Sequence, residues 1–287
     1  MTTASFLHGQ PVAEAVLADV QARAAALSAR GIQPGLGTIL VGEDAPSAGY
    51  VAKKHQACAA VGVASLHRHL PADTSQGELL DAVAAFNADP AVSAFLVQLP
   101  LPGHLDTEAV LSAIDPAKDA DGLHPENLGK LVLGVSAPTP CAPAGIQAIL
   151  VHYGIETRGR HVVVIGRGPT LGRPMALMMS AKAAGADAAV TVVHSAVKDP
   201  ASFIRQGDIV IAALGVANYV TPDMVRPGAV VVSGGISWEG RRLLADIDDS
   251  VSEVASWMTP RLGGVGPTTV AMLLRNTVIA AEAAHPA

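Results

Sequence analysis

The sequence predicts an α/β protein of two lobes, the second a doubly wound, Rossmann-like sheet, and three observations predict it. First, apolar β-branched runs alternate with helical stretches along most of the chain, the pattern of parallel sheets covered on both faces. Second, the run Val162, Val163, Val164, Ile165 stops at a glycine-rich turn, Gly166, Gly168 and Gly172. A helical pattern from Leu171 to Ala186 follows, and its free N-terminal amides face the turn, which is how a chain cradles a pyrophosphate. Third, 287 residues exceed a typical single core and suit two domains.

The elements follow in order. Pro11–Arg30 carries apolar residues at Val12, Val16, Leu17, Val20 and Leu27 and stops at Gly31, which is helix periodicity closed by a C-terminal glycine. Strands are expected at Gly37–Val41, Ala64–Leu70 and Val92–Val97, separated by helices at Pro46–Val61 and Gln76–Phe86. From Gln98 to Pro143 the texture turns to Pro, Gly, Asp and His, as in loops lining a cleft between lobes, where function concentrates. The second lobe brings strands at Val162–Ile165, Ala189–Val193, Asp208–Ala212 and Ala229–Val232, with short helical stretches between them. Pro267–Ala284 reads as a helix with Pro in its first turn, long and apolar enough to return to the first lobe. The domains are then residues 1–140 joined by 267–287, and residues 141–266.

Composition narrows the function classes. The formal charge is −6 and no Lys/Arg cluster exceeds a pair, which argues against nucleic acid and for a small-molecule partner. No run approaches the roughly 20 apolar residues of a membrane span. The N-terminus lacks the basic and apolar regions of a secretory signal, so the expected compartment is the cytoplasm. Cys58 and Cys141 are too few and too dispersed for a disulfide framework or a thiolate metal site and read as small core residues.

The chemistry-bearing residues are scattered along the chain. Tyr50 and Lys54 are four apart and share a helix face, an aromatic plate beside an amine, although the same spacing is common on solvated faces. Gln98 stands at the C-terminal end of a strand before Pro100 and Pro102, and strand ends are where α/β enzymes keep their sites. Asp119 and Asp121 offer two carboxylates in a tight turn without the further acids a calcium loop needs; one carboxylate gripping a guanidine-like ring edge fits better. His67 and His69 alternate on one strand face with no third ligand in view and read as solvent-facing, so no metal is expected. The turn Gly263-Gly264-Val265-Gly266-Pro267 leads into a helix and could present amides to an anion or a ring carbonyl. At the end of Ala189–Val193, His194-Ser195 stands where an NAD site usually keeps an acid, and Arg167 offers a planar fork to a 2′-phosphate. NADP is therefore favoured, with NAD the alternative, since Ala196 supplies no second cation.

In order and spacing these pieces resemble one family, the bifunctional methylenetetrahydrofolate dehydrogenase/methenyltetrahydrofolate cyclohydrolases of FolD type. The likeness spans nearly the whole chain and rests on GYVAKK around Tyr50 and Lys54, VQLPLP at 97–102, KDADGLHPENLGKL at 118–131, PCAPAGI at 140–146, GRGPTLGRP at 166–174 and GGVGPTT at 263–269. The resemblance implies an N-terminal catalytic domain and a tetrahydrofolate derivative as substrate, bound in a cleft between lobes. In it Lys54 is the catalytic amine, Tyr50 stacks on the folate, Gln98 positions the lysine and Asp121 holds the pterin-like end, with Gly264 and Pro267 also on the substrate. It further implies cofactor contacts from Gly166, Arg167, Gly168, Gly172, Ser195 and Ile236, and a homodimer. The implied reaction is NADP-dependent oxidation of 5,10-methylenetetrahydrofolate, then hydrolysis of the methenyl product to 10-formyltetrahydrofolate. The chain departs from the family pattern at Gly168 for Ser, Ala142 for Thr, Ser233-Gly234 for Asp-Val, Arg261-Leu262 for Val-Pro and Thr268 for Met. These departures keep alternatives open: a monofunctional or NAD-linked dehydrogenase, or a binding paralogue without turnover.

Overall fold

The structure is a computed structural model that describes residues 3–43, 45–239 and 242–286. In chain order the elements are β1 (Ser5–Phe6), α1 (Gly9–Ala29), β2 (Gly35–Val41), α2 (Ala45–Ala60), β3 (Ala64–Leu70), α3 (Gln76–Ala88), β4 (Ala94–Val97), α4 (Thr107–Ala113), α5 (Pro125–Leu133) and α6 (Cys141–His152). Then come β5 (His161–Ile165), α7 (Gly172–Ser180), β6 (Ala189–Val193), α8 (Pro200–Ile204), β7 (Ile209–Ala212), β8 (Val230–Ser233), β9 (Ile236–Glu239), β10 (Arg242–Ala245), β11 (Trp257–Met258) and α9 (Val265–Ala284). The chain divides into two compact units. One holds residues up to Ala13 with Pro140–Thr269, the other Glu14–Thr139 with the chain from Val270 on.

The unit of 14–139 is built on a parallel sheet of order β3-β2-β4. Its central strand β2 is buried at every position, as a strand covered on both faces must be. Gly37 is required there, because a Cβ would lie 2.8 Å from the Phe95 Cβ and 2.9 Å from the Phe86 ring. The two rings meet edge to face at 5.5 Å and anchor a core with Leu79, Val83 and Val110. The last helix serves this unit: Asn276 Nδ2 donates to the carbonyls of Ala120 and Thr139 at 2.9 and 3.0 Å, and Arg23 of α1 pairs with Glu282 of α9. The C-terminal helix thus returns to the first lobe.

The other unit carries a six-stranded parallel sheet of order β1-β11-β8-β7-β5-β6, with the antiparallel hairpin β9–β10 beside it. The central strands β5 and β7 supply Val163, Ile165, Val210 and Ala212 to its core. Strand order reverses between β5 and β7, the switch point where open α/β sheets bind ligands.

Three expectations need correction. The N-terminal residues do not belong with 14–139: β1 pairs in parallel with β11, and the Leu7 amide donates to the Met258 carbonyl at 2.8 Å. A two-residue edge strand has no periodicity to announce it. The stretch 98–143 is not loop throughout, since it holds α4, a 3-10 turn at Pro116–Lys118, α5 and the start of α6. Asp106 and His124 are helix caps: Asp106 accepts from the Glu108 and Ala109 amides and His124 from the Glu126 amide, with Pro125 opening α5. The helix expected over 171–186 stops at Ser180, because residues 181–184 are all exposed and good propensity without a buried face does not hold a helix.

Candidate active site

Lys54 lies on the inward stripe of α2, where Ser47, Val51, Lys54 and Cys58 recur at helical spacing and are all buried; Lys54 is only 7% exposed. That excludes the solvated-face reading. An ammonium there needs partners, because an unpaired buried charge costs several kcal/mol. Gln98, half-buried just after β4, supplies one: its Oε1 accepts from Lys54 Nζ at 3.0 Å. The Gln98 Nε2 donates to the Leu99 carbonyl at 2.7 Å and the Gln98 backbone amide to Ile39 at 2.8 Å, so the carboxamide is fixed with its oxygen toward the lysine. Tyr50 is half-buried one turn before Lys54, and burial raises its phenol above the ordinary range. The cation over its ring is Lys53, with Nζ 5.9 Å from the centroid.

The two carboxylates of the turn after the Pro116–Lys118 3-10 turn have separate tasks. Asp119, almost fully buried, accepts from the amides of Gly122, Leu123 and His124 at 3.0, 3.2 and 2.8 Å and from Asn127 Nδ2 at 2.9 Å. It is the internal scaffold of the turn, while the Asp121 carboxyl lies within electrostatic reach of Lys54. Burial pushes the Asp121 carboxyl up; the Lys54 charge pulls it down, and Asp119 pushes it up again. The same Lys54 charge helps lower the neighbouring His55, although burial is the larger cause. Burial likewise lifts the Cys58 thiol to about 11, leaving a core residue rather than a nucleophile.

His67 and His69 are exposed on β3, and His55 of α2 meets His67 edge to face at 5.1 Å. Thr38 Oγ1 holds His67 Nδ1 at 2.9 Å, and His69 Nε2 donates to the Gly42 carbonyl at 2.8 Å. Among the described residues, no group of three or more His, Cys, Asp or Glu is arranged to hold a metal.

In the other unit, the glycine turn is shaped by contacts that exclude side chains. Gly166 has φ +116°, and a Cβ there would lie 2.2 Å from the Ala213 carbonyl oxygen; at Gly172 it would lie 2.4 Å from the Gly166 carbonyl oxygen. Such a cradle brings backbone against a pyrophosphate at the start of α7, so these residues fit a bound dinucleotide. Gly168 is different: a Cβ there meets nothing within 4 Å, so the departure from Ser is not forced by space. Arg167 Nη1 comes within 3.4 Å of His194 Nε2, and the exposed Ser195 follows, so the turn and the end of β6 present one polar edge. Ile236 opens β9 opposite Ala245 with its side chain 38% exposed. Gly264 lies near the Pro260 carbonyl, 2.8 Å from where its Cβ would stand, and Pro267 falls in the first turn of α9, which starts at Val265.

Sequence reasoning missed Asp246. Its carboxylate, fully buried, accepts from the amides of Leu214 and Gly215 through Oδ2, at 2.7 and 3.1 Å, and from Val216 through Oδ1 at 2.8 Å. These partners lie 30 to 32 positions away, beyond any local pattern.

Two family models match the chain: the tetrahydrofolate dehydrogenase/cyclohydrolase catalytic domain over residues 7–121 and its NAD(P)-binding domain over residues 140–285. The chain is 60% identical over 280 residues to the bifunctional protein FolD of Syntrophotalea carbinolica, covering 98% of this chain and 97% of that protein. Among solved structures it resembles the bifunctional FolD of Campylobacter jejuni, with TM-score 0.93, 39% identity, and coverage of 98% and 99%. The FolD of Trypanosoma brucei, solved with NADP cofactor and an inhibitor, has TM-score 0.93 and 37% identity over 100% of both chains. With both domain models matched in order and a 60% identical relative over nearly its full length, the chain belongs to the tetrahydrofolate dehydrogenase/cyclohydrolase family.

Proposed function

We propose that this protein oxidises 5,10-methylenetetrahydrofolate with NADP and hydrolyses the resulting methenyltetrahydrofolate to 10-formyltetrahydrofolate. The observation that carries the reading is the buried Lys54 amine held at 3.0 Å by an oriented Gln98, with the Asp121 carboxyl in its field. A non-catalytic binder has no use for a positioned, buried amine.

The two steps ask different things of the chain. NADP, bound at the Gly166–Gly172 cradle, supplies the hydride acceptor. Oxidation then needs alignment of the one-carbon bridge, for which Tyr50 offers a half-buried ring and Asp121 a carboxylate to grip the pterin-like end. Hydrolysis adds water across the methenyl C=N⁺ bond with loss of one proton to solvent; one C–N bond then breaks as the carbinol hydroxyl gives up its proton to form the formyl C=O and the ring nitrogen takes one up. Lys54 Nζ is the group placed to take and return that proton, and Gln98 Oε1 holds it in position. Arg167, with His194 and Ser195 beside it, favours the 2′-phosphate of NADP over NAD. The family resemblance supports the finer parts of the reading: a homodimer, at work in the cytoplasm, that supplies formyl groups for purine biosynthesis.

The test is absorbance-monitored turnover of 5,10-methylenetetrahydrofolate with NADP and separately NAD, with hydrolysis of added methenyltetrahydrofolate followed in the same preparation. The reading expects both reactions and a preference for NADP. Ligand binding without either reaction would overturn it.

A further inference from the structure

The strongest unassigned feature is the carboxylate of Asp246. Three successive backbone amides, at 214, 215 and 216, turn inward and converge on it, while Gly215 and Val216 are exposed on their outer side. A run of inward amides is a nest, a concavity that ordinarily takes an anion. Here the protein's own carboxylate fills it. The clamp is built tightly: the Asp246 amide donates to Ser233 Oγ at 3.1 Å, and the Asp246 carbonyl accepts from the Val220 amide at 2.9 Å. Gly235 must be glycine, since a Cβ there would lie 2.1 Å from Asp246 Oδ2 and 2.7 Å from the Gly215 nitrogen.

The place of this loop in the sheet gives it a task. It follows β7, and the Ala213 amide donates to the Ile165 carbonyl at 2.7 Å, directly beside the Gly166 turn. Across the sheet the order is β7-β5-β6, so the glycine turn after β5 lies between this loop and His194-Ser195 at the end of β6. In doubly wound folds the residue after the second strand meets the adenosine ribose. With that half over β6, the other half of a dinucleotide extends over β7. With its amides occupied inside, the loop has no nest left for phosphate and turns its other groups outward.

We propose that Asp246 is a positioning residue for the dehydrogenase step, holding the 214–216 loop as the wall against which the nicotinamide half of the cofactor is aligned. The inference rests on the NADP-linked reading above and goes beyond it by naming what shapes that side of the site. It does not touch the proton handling at Lys54.

The experiment compares Asp246→Asn with wild type in full-length protein. An asparagine amide group cannot accept from three converging amides, so the loop loses its anchor at nearly constant volume. The expected result is a fall of about tenfold or more in dehydrogenase kcat/KM for NADP, with hydrolysis of methenyltetrahydrofolate falling far less. Amide hydrogen exchange at 214–216 should quicken locally, while protection of β5 and β7 persists. Should Asp246→Asn fail to fold, Gly235→Ala, which drives a methyl into Oδ2, is expected to give the same split. Equal loss of both activities would make Asp246 a general scaffold residue and overturn the inference, as would unchanged NADP kinetics with quickened exchange. A wild-type enzyme without NADP-linked turnover would instead overturn the underlying functional reading.

Discussion

The lysine site and the glycine turn solve opposite problems. Around Lys54 the chain buries a charge and surrounds it with side chains whose atoms are fixed by hydrogen bonds, Gln98 by Leu99 and Asp119 by four donors. At Gly166 and Gly172 it removes side chains altogether, so that backbone touches backbone at distances no Cβ tolerates. On the proposed reading the first region handles a proton, which requires ionisable groups under controlled burial. On the same reading the other receives a large anionic ligand, which requires amides and space. Damage to the first should therefore appear in chemistry, and damage to the second in cofactor binding.

The largest effect is expected at Lys54. Lys54→Ala removes the proton-handling amine and should lower hydrolysis of methenyltetrahydrofolate by about a hundredfold or more, with a smaller loss in the oxidation, as measured by initial rates on both substrates. Next comes Gly172→Ala. Its methyl would strike the Gly166 carbonyl, which should raise the KM for NADP about tenfold and lower stability by about 1–3 kcal/mol in urea titration. Asp119→Ala strands three amides and a carboxamide of a buried turn, and about 3 kcal/mol of stability should go with it, together with substrate affinity through Asp121.

Asp121 gives a subtler contrast. Its carboxyl is raised above the ordinary 3.8 chiefly by burial, so the folded state holds the proton more tightly than the unfolded state. The stabilising contribution is full below about 3.8 and is lost as pH rises through the folded value; at neutral pH the ionised group is a cost. Asp121→Asn should therefore melt at the wild-type temperature or above it near pH 7, while binding folate more weakly; a lower melting temperature there would show that the charge stabilises. The smallest effect is expected from Gly168→Ser, which meets open space and should change stability by no more than about 0.5 kcal/mol and NADP kinetics by less than about twofold.

The same contrast explains what the sequence disclosed. A glycine forced by close approach leaves its mark in the letters, so Gly166 and Gly172 were legible as a cradle after an apolar run. Lys54 was legible only as a spacing; the stripe 47, 51, 54, 58 shows its burial once the sheet beneath α2 is known. Asp119 and Asp121 read alike because one is distinguished by amides it meets only when the turn closes. Asp246 and the β1–β11 pair were invisible for a different reason, since their partners lie about thirty and about 250 positions away. The end of α7 failed through exposure: residues 181–184 favour helix by composition, but no surface there buries them.

The most direct test of the Lys54 assignment is the rate of methenyltetrahydrofolate hydrolysis by Lys54→Ala, with NADP affinity measured on the same preparation to verify the glycine turn. The account predicts hydrolysis lost by about a hundredfold or more with NADP affinity near wild type. Hydrolysis at the wild-type rate would contradict the role of Lys54 and with it the division of labour between the two regions.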